Sequence, residues 1–266
     1  MRKKIDNNID RSATSRESFL IRFLRKIPGF SLCSVIYKAL EEKDFSFPEL
    51  VNDYEKYHRE VLISPLCHLR IKLFSDWIKP GSVVLDAGCG EGLVAEYLSR
   101  NKKCKMYGID ISVEAASKCT SKGFNCVVRD IDVGLGLSCN EKYDYILFVE
   151  VLEHLRYPHK ILVEACKHVN EGVIVTLPNS GYIRWRIHML RGYFPRQSFT
   201  HLHFWSIKDF ELFVKTLNLV PLKSKTDLDL NGIKKSMANT FKNLLAYQQC
   251  WLIAPLTHAC IRNTQR

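Results

Sequence analysis

The chain has 266 residues, enough for one main domain of ordinary size plus an extension. A hydrophobic content of 46% with 11% aromatics excludes a low-complexity or disordered chain and implies a real core. The formal charge of +11 (39 basic against 28 acidic residues) favours anionic partners: phosphates, acidic glycans, nucleic acid or a membrane surface.

Residues 1–79 read as a basic, helical N-terminal extension. Met1 to about Thr14 is polar and expected to be disordered. Phe19, Leu20, Phe23, Leu24 and Ile27 recur at helical spacing, with Arg22, Arg25 and Lys26 between them, and Pro28-Gly29 ends the pattern. Such a stripe packs on its own domain or lies on a membrane surface, so peripheral membrane contact stays open. The charges interrupting residues 19–40 leave no run near the roughly 20 apolar residues of a membrane span. A second helix is predicted over Cys67–Ile78.

Residues 80–266 read as an α/β domain. Strands are predicted at Val83–Ala87, Lys105–Ile109, Cys126–Val128, Tyr145–Val149 and Val173–Leu177. Helices are predicted at Leu93–Arg100, Val113–Lys122 and His159–Val169. This alternation implies a mostly parallel sheet with helices on both faces. Beyond residue 181 come a basic amphipathic segment (Tyr182–Gly192), a helix at Ile207–Leu217 capped by Ser206, and strands at Leu219–Ser224 and Gln249–Ala254. Ten cysteines are scattered without one C-x-x-C spacing, which argues against a zinc ribbon or a thioredoxin-like site. No secretory leader pattern is visible, so reduced thiols and a cytoplasmic setting are expected.

The strongest local signal is Val83-Val84-Leu85-Asp86-Ala87-Gly88-Cys89-Gly90-Glu91-Gly92, an apolar strand entering a glycine-rich turn before a helix. Glycines permit tight left-handed backbone and close ligand approach, and the helix offers free N–H groups. Dinucleotide sites use G-x-G-x-x-G to hold a pyrophosphate. Here the pattern is G-x-G-x-G, and Asp86 stands directly before the turn, where a carboxylate repels pyrophosphate and suits an ammonium or sulfonium.

This stretch resembles motif I of the class I S-adenosylmethionine (SAM)-dependent methyltransferases, and further motifs follow in order. Tyr107-Gly108-Ile109-Asp110-Ile111 resembles the second-strand motif, which implies that Asp110 accepts from the ribose hydroxyls, with Ile111 beside it. Arg129-Asp130-Ile131 resembles the adenine-side motif, with Asp130 facing the exocyclic amine. Lys142 to Glu150 resembles the fourth strand, ending beside the methionine moiety. The resemblance implies a Rossmann-like fold with a seven-stranded sheet. The implied SAM-binding set is Asp86, Gly88, Cys89, Gly90, Gly92, Asp110, Ile111, Asp130, Ile131 and Glu150.

The run from Gly123 to Asp132, then Gly172-Val173-Ile174-Val175-Thr176-Leu177-Pro178-Asn179-Ser180-Gly181, with Arg184-Trp185-Arg186 and the His-Phe-Trp-Ser segment near residue 205, resembles MetW-like proteins. Glu150-Val151-Leu152-Glu153-His154 is similar to the E-x-x-E-H of ubiquinone-biosynthesis O-methyltransferases and small-RNA 2′-O-methyltransferases. There, with a later histidine, the pattern holds a divalent metal. The resemblance implies Glu150, Glu153, His154 and His201 (or His203) as ligands of magnesium or manganese, or equally a metal-free turn that shapes the pocket. Glu150 and Glu153, at i and i+3, share one helical face if the helix starts at once. Carboxylates with imidazoles suit manganese or iron better than magnesium.

Transfer of a methyl group to an alcohol needs in-line alignment and removal of a proton, for which His154, His201 and His203 are the candidate bases. From Gly172 to Lys208 the chain carries no acid, while Arg184, Arg186, Arg191, Arg196 and Lys208 interleave with Tyr182, Trp185, Tyr193, Phe194 and Phe199. Residues 178–215 thus read as the acceptor side, fitting a small, glycan-linked or lipid-linked anionic acceptor. Asn179 is only a partial echo of an N-P-P-Y motif, so oxygen is preferred over nitrogen as the acceptor atom. The alternatives are a MetW-like SAM-binding partner protein in methionine biosynthesis and an RNA 2′-O-methyltransferase.

Overall fold

The computed structural model describes residues 65–193, 198, 200–230 and 241–256, all within one compact unit. The helix expected over Phe19–Ile27 lies outside them, as do Phe194, Arg196 and Phe199. Seven strands form one sheet: β1 (Val83–Ala87), β2 (Lys105–Asp110), β3 (Asn125–Val128), β4 (Tyr143–Val149), β5 (Val169–Pro178), β6 (Leu219–Thr226) and β7 (Gln248–Pro255). The order is β3-β2-β1-β4-β5-β7-β6. The first five run parallel, and β7 pairs antiparallel with both β5 and β6. The helices are α1 (Pro65–Phe74), α2 (Leu93–Lys102), α3 (Val113–Ser121), α4 (Pro158–Lys167), α5 (Ile183–Leu190), α6 (Ile207–Thr216) and the single turn α7 (Asp227–Leu230).

Strand order reverses at β1, which lies between β2 and β4. Parallel sheets of this kind open a crevice at that switch point, beyond the carboxyl ends of the strands. Asp86 and the glycine turn leave β1 there, Asp110 ends β2, and Glu150 follows β4.

Beneath the crevice, one sheet face packs Val84, Met106, Tyr145, Leu147, Ile174 and Leu252 against α1 and α2. The helices contribute Ile71, Leu73, Phe74, Val94, Ala95 and Leu98. Burial of such side chains is worth roughly 1.5–3 kcal/mol each. Tyr145 Oη donates to the Trp77 carbonyl at 3.0 Å, tying the short turn after α1 to β4. The helix expected at Cys67–Ile78 therefore belongs to the core of the sheet domain, although the sequence alone groups it with the extension.

Alternation along β7 carries its other face to α6, where the Trp251 and Phe210 rings lie 5.7 Å apart. β5 is buried along most of its length, which explains an unbroken Val173-Ile174-Val175 run rather than alternation. The Ser206 cap of α6 is a full capping box. Ser206 Oγ accepts from the Asp209 amide at 3.3 Å, and Asp209 Oδ2 accepts from the Ser206 amide at 3.2 Å.

Candidate functional site

The glycine turn takes the shape its composition allows. Gly88 has φ +88°, and a Cβ there would meet Val151 Cγ2 at 2.4 Å, so both conformation and space require glycine. Gly90 has φ +51° and donates its amide to Asp110 Oδ2 at 2.7 Å. Asp110 Oδ1 accepts from the Ser112 amide at 2.9 Å. The turn after β1 is thus fastened to the end of β2 by one buried carboxylate. Gly92 caps α2 without a side-chain hydrogen bond.

Asp86 is 1% exposed, and neither carboxylate oxygen has a hydrogen-bond partner among the described residues. Burial raises its pKa from the ordinary 3.8 to about 8, with smaller contributions from Cys119 and Asp110. A buried, unsatisfied carboxylate is costly. Here it sits where the strand delivers the chain to the crevice, and a cation would relieve that cost.

Farther along the sheet edge, Ile111 is 54% exposed although apolar. Asp130 is exposed, and its Oδ1 accepts from the Asp132 amide at 2.9 Å. Ile131 is buried.

Glu150 leaves β4 in the left-handed region, at φ +58°, a strained conformation for a non-glycine residue. Its carboxylate is well occupied. Arg70 of α1 pairs with Oε2 at 2.9 Å, Thr176 Oγ1 donates to Oε1 at 3.2 Å, and the Gln248 amide, turned nitrogen-first, donates to Oε1 at 3.0 Å. The next helical turn is only the 3-10 segment Leu152–His154, so Glu150 precedes it. The shared helical face expected for Glu150 and Glu153 does not form, because the backbone reverses hand between them.

The structure brings three of the four expected metal ligands together and leaves Glu150 out: the donor atoms of Glu153, His154 and His201 lie within 4.8 Å of one another. Glu153 is buried, and both its carboxylate oxygens lack hydrogen-bond partners among the described residues. Burial, then the Glu150 charge, pushes its pKa well above the ordinary range. His201 Nδ1 is likewise without a hydrogen-bond partner. Burial first, then the nearby His154 and Arg70, lowers its pKa to about 3, so the ring stays neutral. His154 Nδ1 lies 3.2 Å from the Thr200 carbonyl, and the two imidazoles meet edge to face at 4.6 Å. The segment is held in place by the Leu202 and His203 amides, which donate to the Glu153 carbonyl at 2.7 and 3.1 Å. His203 turns aside and stacks on Trp205 at 5.1 Å.

The basic, aromatic wall expected after β5 is only partly a wall. Trp185 and Arg184 are buried, while Arg186, Arg191, Tyr193 and Lys208 are exposed. Asn179 is interior: Nδ2 donates to the Ala246 and Asn243 carbonyls at 2.6 and 3.1 Å, and Oδ1 accepts from the Gly181 amide at 2.9 Å. Arg70 and Gln248 went unnoticed in the sequence, because their partner Glu150 is about 80 and 98 positions distant and no local pattern marks them.

The sequence model of the family described as "Methionine biosynthesis protein MetW" matches residues 70–253. The chain belongs to the MetW family. The fold of this MetW-family chain is that of class I SAM-dependent methyltransferases. A SAM-dependent methyltransferase from Archaeoglobus fulgidus superposes with TM-score 0.57 at 18% identity, over 76% of this chain and 98% of that one. A tRNA (carboxymethyluridine(34)-5-O)-methyltransferase of Arabidopsis thaliana is 36% identical over 112 residues, covering 41% of this chain and 26% of its own length. The mitochondrial ubiquinone biosynthesis O-methyltransferase of Candida albicans is 28% identical over 111 residues, covering 38% of this chain and 34% of its own. The chain thus spans about a third or less of the length of these curated relatives. No helix among the described residues is long and apolar enough to cross a membrane.

Proposed function

We propose that this chain is a SAM-dependent O-methyltransferase acting on an anionic acceptor that is small or carried on a glycan or lipid. The observation that carries the reading is Asp86, a buried carboxylate at the sheet's switch point with no hydrogen-bond partner among the described residues. An unsatisfied acid beneath a glycine turn fits an ammonium and a sulfonium, and it rejects a pyrophosphate. Asp110, fixed by the Gly90 and Ser112 amides, retains lone pairs for two ribose hydroxyls. Gly88, Cys89 and Gly92 complete the turn. Ile111 and Ile131 line the adenine side, Asp130 takes the exocyclic amine, and Glu150 borders the methionine end. Bound SAM supplies an activated methyl on a sulfur that leaves readily.

The chain's own part is alignment and proton handling. The strained Glu150, held by Arg70, Thr176 and Gln248, fixes the floor of the acceptor side. His201, with its pKa lowered to about 3, is a poor general base, and His203 turns aside onto Trp205, which leaves His154 as the candidate. The interior, fully bonded Asn179 offers nothing to an amide or base nitrogen, which supports oxygen as the acceptor atom.

One observation favours a second element. Glu153, His154 and His201 form a carboxylate–imidazole set in which atoms of Glu153 and His201 have no hydrogen-bond partner among the described residues, and that set fits manganese or iron better than magnesium. A metal held there would polarise an acceptor hydroxyl. Mn²⁺ titration followed by electron paramagnetic resonance tests it: Glu153→Gln is expected to weaken binding at least about tenfold. Equal Mn²⁺ affinity in that variant rules the site out.

The experiment for the main reading is incubation of the chain with methyl-labelled SAM and cell extract, followed by separation into lipid, glycan, RNA and protein fractions. Label in a lipid, glycan or small acidic fraction is the expected result. Label in RNA would reassign the acceptor. Binding of S-adenosylhomocysteine without any labelled acceptor would point to a partner protein instead.

A further inference from the structure

Three cysteines that no motif links converge beneath the glycine turn. Cys89 lies in the turn itself, Cys119 on α3, and Cys126 on β3, the edge strand. Their sulfurs lie within 4.8 Å of one another, and Cys89 Sγ is 2.9 Å from Cys126 Sγ. Gly108 on β2 makes the approach possible, since a Cβ there would meet these two sulfurs at 2.6 and 2.8 Å. Cys89 and Cys119 are buried, whereas Cys126 is only partly buried.

Two chemistries suit such a cluster, and the distance chooses between them. Thiolates sharing one ion at about 2.3 Å stand about 3.8–4.0 Å apart. The Cys89–Cys126 separation is shorter than that and within about 0.9 Å of a disulfide bond of about 2.05 Å. We propose that Cys89 and Cys126 are a reversible oxidation site, joined by a disulfide oxidant such as glutathione disulfide, and that the bond disables the cofactor turn. The second half of this proposal rests on the SAM reading above.

The exchange balances in two steps. Cys126, the more exposed of the pair, loses its proton to solvent and attacks one sulfur of glutathione disulfide, forming a mixed disulfide and releasing one glutathione thiolate, which takes up a proton in turn. Cys89 then attacks Cys126 Sγ and releases the second. Two S–H bonds become one S–S bond, and both electrons and both protons end on two glutathione thiols. Hydrogen-bond donation to Cys119 lowers the pKa of Cys119 and raises that of Cys126 to about 12, so Cys126 attacks only as it gives up its proton. The new bond draws Cys89 toward β3, and with it the neighbouring Gly88 and Gly90 of the cofactor turn.

Titration of the reduced full chain with glutathione disulfide, followed by non-reducing peptide mapping, tests the site. The Cys89–Cys126 cross-link is expected to form first. Affinity for S-adenosylhomocysteine is expected to fall at least about tenfold and to recover with dithiothreitol. In Cys126→Ser, the oxidant should leave that affinity unchanged. A lasting glutathione adduct on Cys126, both thiols free at excess oxidant, or a cross-link that leaves affinity intact overturns the proposal. Cd²⁺–thiolate absorption that vanishes in Cys126→Ser, with no cross-link, would make the cluster a metal site instead. Peptide mapping needs no cofactor, and binding by the reduced chain tests the SAM reading alone, so the two fail separately.

Discussion

The two sides of the crevice are built differently. On the β1–β2 side, neighbouring chain segments make the site: a glycine turn, the carboxylate 20 residues later that fastens it, and a helix that starts at once. On the β4–β5 side, residues from distant parts of the chain meet: Arg70 with Glu150, Gln248 with Glu150, and Glu153 and His154 with His201. Each side also holds a buried acid without a hydrogen-bond partner among the described residues, Asp86 on one and Glu153 on the other. One half therefore owes its shape to local backbone chemistry, the other to long-range packing and ion pairing, and the two should fail differently when mutated.

The largest expected effect is on the local side. Asp110→Ala removes the acceptor of the Gly90 and Ser112 amides together with the proposed ribose contact. Its S-adenosylhomocysteine affinity should fall about a thousandfold, near 4 kcal/mol, by isothermal titration. A drop below about tenfold would separate the turn's anchoring from binding. On the long-range side, Arg70→Met leaves a largely buried Glu150 without its cation and should cost about 3 kcal/mol of stability in urea unfolding. Little change there would mean that Thr176 and Gln248 suffice.

Asp86→Asn sharpens the contrast through pH. The folded-state pKa of about 8 exceeds the ordinary 3.8, so the folded chain holds an extra proton between those values. Stability of the ligand-free chain should therefore fall as pH rises from about 4 to about 8 and then level off. The Asn variant should lose much of that slope and be more stable at pH 8, on the order of 2 kcal/mol. Glu153, shifted in the same direction, leaves a residual slope. The smallest effect is far from both halves: Ser206→Ala should cost about 1 kcal/mol with no change in cofactor affinity.

The same contrast governs what the sequence revealed. The predicted and observed bounds of β1 coincide, because an apolar run meets an unambiguous glycine turn. β5 extends beyond the predicted Val173–Leu177, because Asn170-Glu171-Gly172 has the composition of a loop and only its pairing with β4 makes it strand. The antiparallel insertion of β7 between β5 and β6 leaves no trace in its own residues. Asp86, Gly88, Gly90 and Asp110 could be picked out because strand, turn and helix signals coincide there. The fate of Glu150 could not, since its positive φ and its Arg70 partner are products of tertiary structure. The thiol cluster was missed for the same reason: positions 89, 119 and 126 become neighbours only when α3 and β3 fold onto the turn.

The central claim is that the turn after β1 seats a cationic sulfur compound over Asp86. Calorimetric titration with SAM at pH 7, in two buffers of different ionisation heat, tests it most directly. Binding one to one with release of close to one proton, a release that disappears in Asp86→Asn, is the expected result. Absence of binding at millimolar SAM, or binding whose proton release survives in Asp86→Asn, would contradict it.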